Sequence, residues 1–229
     1  MFIAQIFTLY PDYFPGPFNK GLYGKAMEKK IWDLKTVDIR EYALDKHKTV
    51  DDTPYGGGSG MLLKPDVVAK SIDANTQKGE KIFYLSPRGK VLNQNIAREI
   101  SKEKKVNLIC GHFEGVDQRV LDNRAIDELS IGDFVLSGGE TASYVILDAI
   151  LRLIPGVIGN EESKNDESFE NGLLEYPQYT KPQIWEEKSV PNVLLSGDHA
   201  KIKDWRLIQS KAITRDRRPD LWQKYNKKN

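Results

Sequence analysis

Apolar positions in the first two-thirds of the chain fall into short blocks that switch between strand-like and helix-like spacing. Met1–Leu9 is almost continuously apolar, as a strand covered on both faces would be. Gly21–Trp32 reads as a helix, and Thr36–Tyr42 alternates like a half-exposed strand. Pro65–Thr76 predicts a helix with proline in its first turn. Lys81–Leu85 is a strand that runs into a turn at Ser86-Pro87-Arg88-Gly89. Asn93–Lys105 is helical with Asn93 as cap, Val106–Cys110 is a short buried strand, and Gln118–Glu128 is helical. Phe134–Leu136 is a brief strand. The helix Glu140–Ile154 is apolar on most sides, which places it in a core or at an interface. Strands alternating with helices predict an α/β domain with a mostly parallel sheet.

The pattern then changes. Gly159–Gly172 is polar and acidic without an apolar period, and reads as a linker that could order as a lid. Helical spacing resumes at Ala200–Ala212, within a basic tail. Ten cations from Lys201 to Lys228 face only Asp204, Asp216 and Asp220, with Trp205, Trp222 and Tyr225 interleaved. Three segments follow: a domain over 1–158, a linker over 159–172, and a small helical domain over 173–229. His199 and Trp205 are expected to pack that last domain.

Composition narrows the function classes. The 229 residues carry a net charge of +1, so the basic tail is hidden in the total and no global polyelectrolyte argument applies. One cysteine, Cys110, excludes an intrachain disulfide and suits a reducing cytoplasm. Three histidines without tight spacing make a zinc site, or any resident structural metal, unexpected. The opening segment lacks a basic leader, and no apolar run could span a bilayer, so no membrane association is expected.

Glycine placement points to a ligand. His47–Met61 (HKTVDDTPYGGGSGM) sets four glycines within five residues beside Asp51, Asp52 and Tyr55. Such density serves positive φ or close backbone approach. Three further loops, Ser86–Gly89, Gly111–Gly115 and Ile131–Glu140, adjoin apolar strands. Loops at strand ends of an α/β sheet are where these folds place ligands. The phosphate-binding pattern G-x-x-x-x-G-K-[ST] is absent, and Gly56–Gly60 fails the dinucleotide fingerprint G-x-G-x-x-G at its last glycine. A nucleoside held by main-chain groups, without pyrophosphate, fits the loops better.

The segments HKTVDDTPYGGGSGM, YLSPRG, LICGHFEGVDQRV, SIGDFVLSGGE, IPGVIG, SF-x-x-GLLE-x-P-x-YT-x-P and VLLSGDHAKI-x-x-WR occur in this order along essentially the whole chain. Together they resemble the bacterial tRNA (guanine-37-N1) methyltransferases of the SPOUT class. The resemblance implies an α/β fold with a deep trefoil knot, an obligate homodimer with its active site between subunits, and methylation of the guanine 3′ to the anticodon. It implies S-adenosylmethionine as donor, held by Tyr84, Leu85, Ser86, Pro87, Gly111, Glu114, Ile131, Gly132, Asp133, Phe134, Val135, Leu136, Ser137, Gly138 and Gly139. Magnesium joins the implied cofactor set, yet the sequence shows no dedicated carboxylate cage.

Arg152 matches the family's catalytic arginine, aimed at the charge developing on guanine O6. The family's base is an aspartate directly before Ser-Phe. Here that position is Glu167, preceded by Asp166, and the extra methylene changes reach by about 1.3–1.5 Å. Glu167 is preferred, with Asp166 in a slipped register as the alternative. Asp51, Tyr55, Gly56, Gly57, Gly58, Ser163, Lys181, Lys201, Arg206 and Arg215 are the expected contacts to the tRNA anticodon stem-loop. Lys181 stands where arginine is familiar and Gln178 where relatives can carry histidine. The replaced base keeps a second reading open, a catalytically impaired tRNA-binding protein of the same fold. A nicotinamide-dependent dehydrogenase is disfavoured by the missing fingerprint.

Overall fold

A computed structural model describes residues 1–159 and 167–228. The chain divides into two compact units, Met1–Gly159 and Asn160–Asn229. The first carries β1 (Phe2–Thr8), α1 (Gly21–Glu28), β2 (Trp32–Asp38), β3 (Asp51–Asp52), β4 (Leu62–Leu63), α2 (Pro65–Asn75), β5 (Lys81–Val91), α3 (Gln94–Ile100), β6 (Lys105–Cys110), α4 (Gln118–Asn123), β7 (Asp127–Ser130) and α5 (Gly139–Leu151). Five strands form one sheet in the order β2-β1-β6-β5-β7, every pair parallel.

Period-two alternation sorts the core into two layers. Phe2, Ala4 and Ile6 of β1, Phe83 and Leu85 of β5, and Val106, Leu108 and Cys110 of β6 pack with α5 residues Ile146, Leu147 and Ile150 and with Ile96 and Ile100 of α3. Phe7, Tyr84 and Ile109 point the other way, against Val67, Val68 and Ile72 of α2 and Val120 and Leu121 of α4. Thus α5 is chiefly a core helix. Two buried amides fit on the second face because they satisfy each other: Gln5 Nε2 donates to Asn107 Oδ1 at 3.0 Å, and Asn107 Nδ2 to Glu80 Oε2 at 3.0 Å.

Several element boundaries differ from the expectation. Helix α1 stops at Glu28 instead of reaching Trp32. Lys30 takes the left-handed conformation, its N–H donating to Met27 O and that of Ile31 to Ala26 O, which closes a Schellman motif without glycine. Strand β2 ends at Asp38, whose carboxylate accepts from Arg40 N–H and starts a short 3₁₀ turn over Ile39–Tyr42. The helix expected over Asn93–Lys105 ends at Ile100, with Asn93 capping as expected and Lys105 opening β6. The helix expected over Gln118–Glu128 ends at Asn123, because Asp127–Ser130 is claimed as edge strand β7. Phe134–Leu136 is not a strand but an exposed loop. Strand β5 continues to Val91, and its pairing with β7 slips between Leu85 and Lys90, so Ser86–Gly89 bulges out.

The second unit holds a hairpin of β8 (Ile184–Trp185) and β9 (Lys188–Ser189), then α6 (Asn192–Leu195), α7 (His199–Arg217) and α8 (Pro219–Lys228). Helix α8, with proline at its start, was not anticipated. The interior of this unit is thin. Thr214 is fully buried; its hydroxyl donates to Ser210 O at 2.6 Å and accepts from Leu174 N–H at 2.8 Å. Trp205 packs near Tyr179, whereas His199 is exposed at the start of α7 rather than in the interior of the unit. Among the described residues, no helix is long and apolar enough to cross a membrane.

Candidate active site

All five strands run the same way, so the loops after β6 and β7 and the bulge in β5 emerge at one edge. They surround a cavity of about 500 Å³. Of the residues expected to hold the methyl donor, Tyr84, Leu85, Ser86, Pro87, Gly111, Glu114, Ile131, Gly132, Phe134, Val135, Leu136, Ser137, Gly138 and Gly139 line it; Asp133 does not. The loops Ser86–Gly89, Gly111–Gly115 and Ile131–Gly138 thus converge as the donor reading requires.

The walls are built by close backbone approach. A Cβ on Gly139 would lie 2.5 Å from Cys110 Cα, and one on Gly89 would lie 2.4 Å from the Glu128 carbonyl carbon. Gly139 N–H donates to Gly111 O at 3.1 Å, tying the start of α5 to the end of β6. The Tyr84 ring fills the space beside Gly111 and Gly115, and burial pushes its phenol up. Arg88, in the bulge, grips Glu128 through Nε and Nη2, each at 3.2 Å, and reaches Gln118 Oε1 at 3.2 Å. At the far wall, Gly132 N–H donates to Ser130 Oγ at 3.1 Å and Phe134 N–H to Gly132 O at 3.0 Å. This tight turn leaves Phe134 and Val135 52% and 83% exposed at the mouth.

The glycine-rich loop joins the cavity from the side. Glu114 N–H donates to Met61 O at 2.9 Å and Leu63 N–H to Gly115 O at 2.9 Å, and Leu62 lines the cavity. Gly56, Gly57 and Gly58 all have positive φ (88°, 77° and 120°) with open space around them, so their role is conformational. Tyr55 beside them is 100% exposed, and Asp51 is half-buried in β3.

Arg152 caps the C-terminal end of α5 in the first unit and is half-buried. Its charge lies near Tyr23, whose phenol is pushed up by burial and by its hydrogen bond to Asp148 Oδ1 at 2.8 Å, with Arg152 opposing the rise. Glu167 belongs to the second unit, half-buried in a turn where its carbonyl accepts from Glu170 N–H. Asp166 and Ser163 lie outside the described residues, as does much of the expected lid. In the second unit Lys181 is exposed, Lys201 pairs with Asp198 at 3.0 Å, Arg206 lies 4.7 Å over the Tyr176 ring, and Arg215 is exposed in the last turn of α7. Among the described residues no group of three or more His, Cys, Asp or Glu side chains could hold a metal ion, and magnesium finds no cage there.

His112 and Glu140 were given no role from the sequence; His112 lines the cavity, and Glu140 lies behind the lining against it. His112 Nε2 lies 2.9 and 2.8 Å from the two Glu140 oxygens. An acid directly after Gly-Gly at a helix start reads as an ordinary complement to the helix dipole. Its burial to 4% exposure is legible only in three dimensions.

The family described as tRNA (Guanine-1)-methyltransferase TrmD matches residues 2–224. The chain belongs to this family. A tRNA (guanine-N(1)-)-methyltransferase of Pelagibacter ubique is 76% identical over 227 residues, covering 99% of this chain and all of the relative. Proteins of the same description from Rhodospirillum rubrum and Brucella canis are 54% and 52% identical, covering 97% and 99% of this chain and 93% and 92% of theirs. The family's match thus spans the cavity, Arg152, Glu167 and nearly all of the basic tail.

Proposed function

We propose that this chain transfers a methyl group from S-adenosylmethionine to N1 of guanine 37 in tRNA. The convergence of the three loops on one cavity carries the reading, and the relatives' shared description agrees with it. The walls suit the donor. A cavity of about 500 Å³ is in the range that encloses a small molecule. Backbone groups at Gly111, Ile131–Leu136 and Gly138 offer edges for adenine and ribose, while the Glu114 carboxylate stands at the rim. S-adenosylmethionine, when bound, supplies a methyl group already activated on a sulfonium.

The protein's own residues then have few tasks. Glu167, or Asp166 in its place, takes the proton from guanine N1, a step typically worth ~10²–10⁴ in rate. Arg152 stabilises the negative charge that grows on O6. The basic helices α7 and α8 hold phosphates, with Tyr55 and the glycine loop beside the cavity meeting the loop bases. The guanine leaves its stack to reach the donor. The active unit is a homodimer, and the threading of the loops is a trefoil knot; support for both is the family membership. The protein works in the cytoplasm.

Methyl incorporation into an anticodon stem-loop carrying guanine 37, against one carrying adenine there, tests the activity. Label in the first alone is the expected result. Arg152→Ala should abolish turnover while donor affinity, read by calorimetry, stays near wild type. Binding of the stem-loop without label transfer by the intact protein would favour the catalytically impaired reading.

A further inference from the structure

Glu140 sits in the first turn of α5 with its carboxylate removed from solvent. Oε1 accepts from the Thr8 hydroxyl at 2.5 Å, and both oxygens face His112 Nε2. The three residues come from three different elements: the end of β1, the loop after β6, which lines the cavity through His112, and the helix that follows the third loop. The Tyr10 ring closes the set edge-on, 4.9 Å from the imidazole, and Tyr10 N–H donates to Thr8 Oγ1 at 2.9 Å. A side chain on Gly138 would fall 2.4 Å from His112 Cε1 and 2.7 Å from Glu140 Oε2. The backbone that lines the cavity therefore rests directly on this pair.

A buried polar pair is a poor source of net stability, since desolvation offsets the attraction. What it does supply is a fixed separation between the segments that carry it. An exposed acid would serve the helix dipole equally well. Here Glu140 is buried against Gly138, behind the cavity lining, where it joins the loop after β6 to the start of α5.

We propose that Thr8, Glu140 and His112 form a lock that sets the width of the cavity, with His112 as a positioning residue for the methyl donor. This rests on the reading that the cavity takes S-adenosylmethionine. With the lock intact, the Gly111–Gly115 loop and the start of α5 are preorganised, and binding does not have to order them. With it broken, the donor binds a looser cavity, but saturating donor restores the bound geometry. The signature is a raised KM for the donor with kcat retained.

The test uses the full chain with S-adenosylmethionine and an anticodon stem-loop. His112→Ala is expected to weaken donor binding by roughly 10- to 100-fold, because binding must then order the loop and the helix start. Its kcat and its affinity for the stem-loop should stay within about threefold of wild type by the same reasoning. His112→Gln, which keeps a donor group at similar reach, should recover most of the affinity. A folded His112→Ala protein with wild-type donor affinity overturns the lock, and so does His112→Gln as weak as alanine. Should His112→Ala not fold, Thr8→Val removes the hydroxyl's bonds to Glu140 and from Tyr10 N–H at nearly constant shape and carries the test, with unchanged affinity as the refuting result. Failure of the wild-type protein to bind S-adenosylmethionine would instead remove the cavity reading itself.

Discussion

Gly139→Ala probes the packing on which the cavity depends. The new Cβ would stand 2.5 Å from Cys110 Cα, 2.9 Å from its Cβ and 3.1 Å from its carbonyl carbon. Ordinary contact begins at 3.4 Å, so the helix start and the strand end must part by about 0.9 Å (3.4 − 2.5). Neither side yields easily. Cys110 is fully buried in a parallel strand paired to β1 and β5, and Gly139 N–H is bonded to Gly111 O. Overpacking of this kind costs about 1–3 kcal/mol. For a chain of this size each kcal/mol lowers Tm by ~2–4 °C, so a fall of about 2–12 °C is expected by differential scanning calorimetry. The same displacement lies in the wall of the cavity proposed for the donor, where misplacement by ~1 Å can cost ~10²-fold in rate. S-adenosylmethionine titrated calorimetrically should bind more weakly to the variant. A Gly139→Ala protein with wild-type melting and wild-type affinity would refute the contact between helix start and strand end. A lowered Tm with unchanged affinity would leave the contact standing and remove it from the ligand site.

Glu167→Gln should lower turnover by ~10²–10⁴ at unchanged donor affinity; if Asp166→Asn does so instead, the slipped register holds. Tyr55→Ala should leave stability within ~0.5 kcal/mol, because the side chain is fully exposed, while weakening anticodon stem-loop binding. Unchanged RNA affinity in a filter-binding assay would take Tyr55 off the substrate surface. Asn107→Ala should cost about 1–3 kcal/mol in urea unfolding, because it strips partners from buried Gln5 and from Glu80; a loss under ~0.5 kcal/mol would contradict that pairing. The Arg218 side chain holds the Asp220 carboxyl down at about 2, against an ordinary 3.8. A depressed pKa stabilises the folded state above the unfolded value, and that contribution is lost as pH falls from about 4 towards 2. Carboxyl chemical shifts should show Asp220 titrating near 2, and Arg218→Ala should return it towards 3.8.

Where residue order alone carried the information, it was legible. The apolar blocks Met1–Leu9 and Val106–Cys110 became central parallel strands, since burial on both faces requires unbroken apolar runs. The Asn93 cap and the proline start of α2 are local chemistry and appear as expected. The glycine loops were legible as positions of unusual backbone, and three of them converge on one cavity. Less legible were elements fixed by distant partners. Asp127–Ser130 carries too few apolar residues to announce a strand, and becomes one because β5 offers an edge. Phe134–Leu136 looks like a strand, yet it pairs with no strand among the described residues and lines the cavity mouth instead.

By itself, then, the sequence determined the layer class, the positions of the glycine loops and, through long ordered motifs, the family. Only the tertiary structure decided that those loops share one cavity, and that Thr8, His112 and Glu140, up to 132 positions apart, meet beside it. Hydrophobic periodicity fixes which side of an element is buried. It does not fix which other element covers it, because that depends on parallel register and chain crossing between segments far apart in sequence.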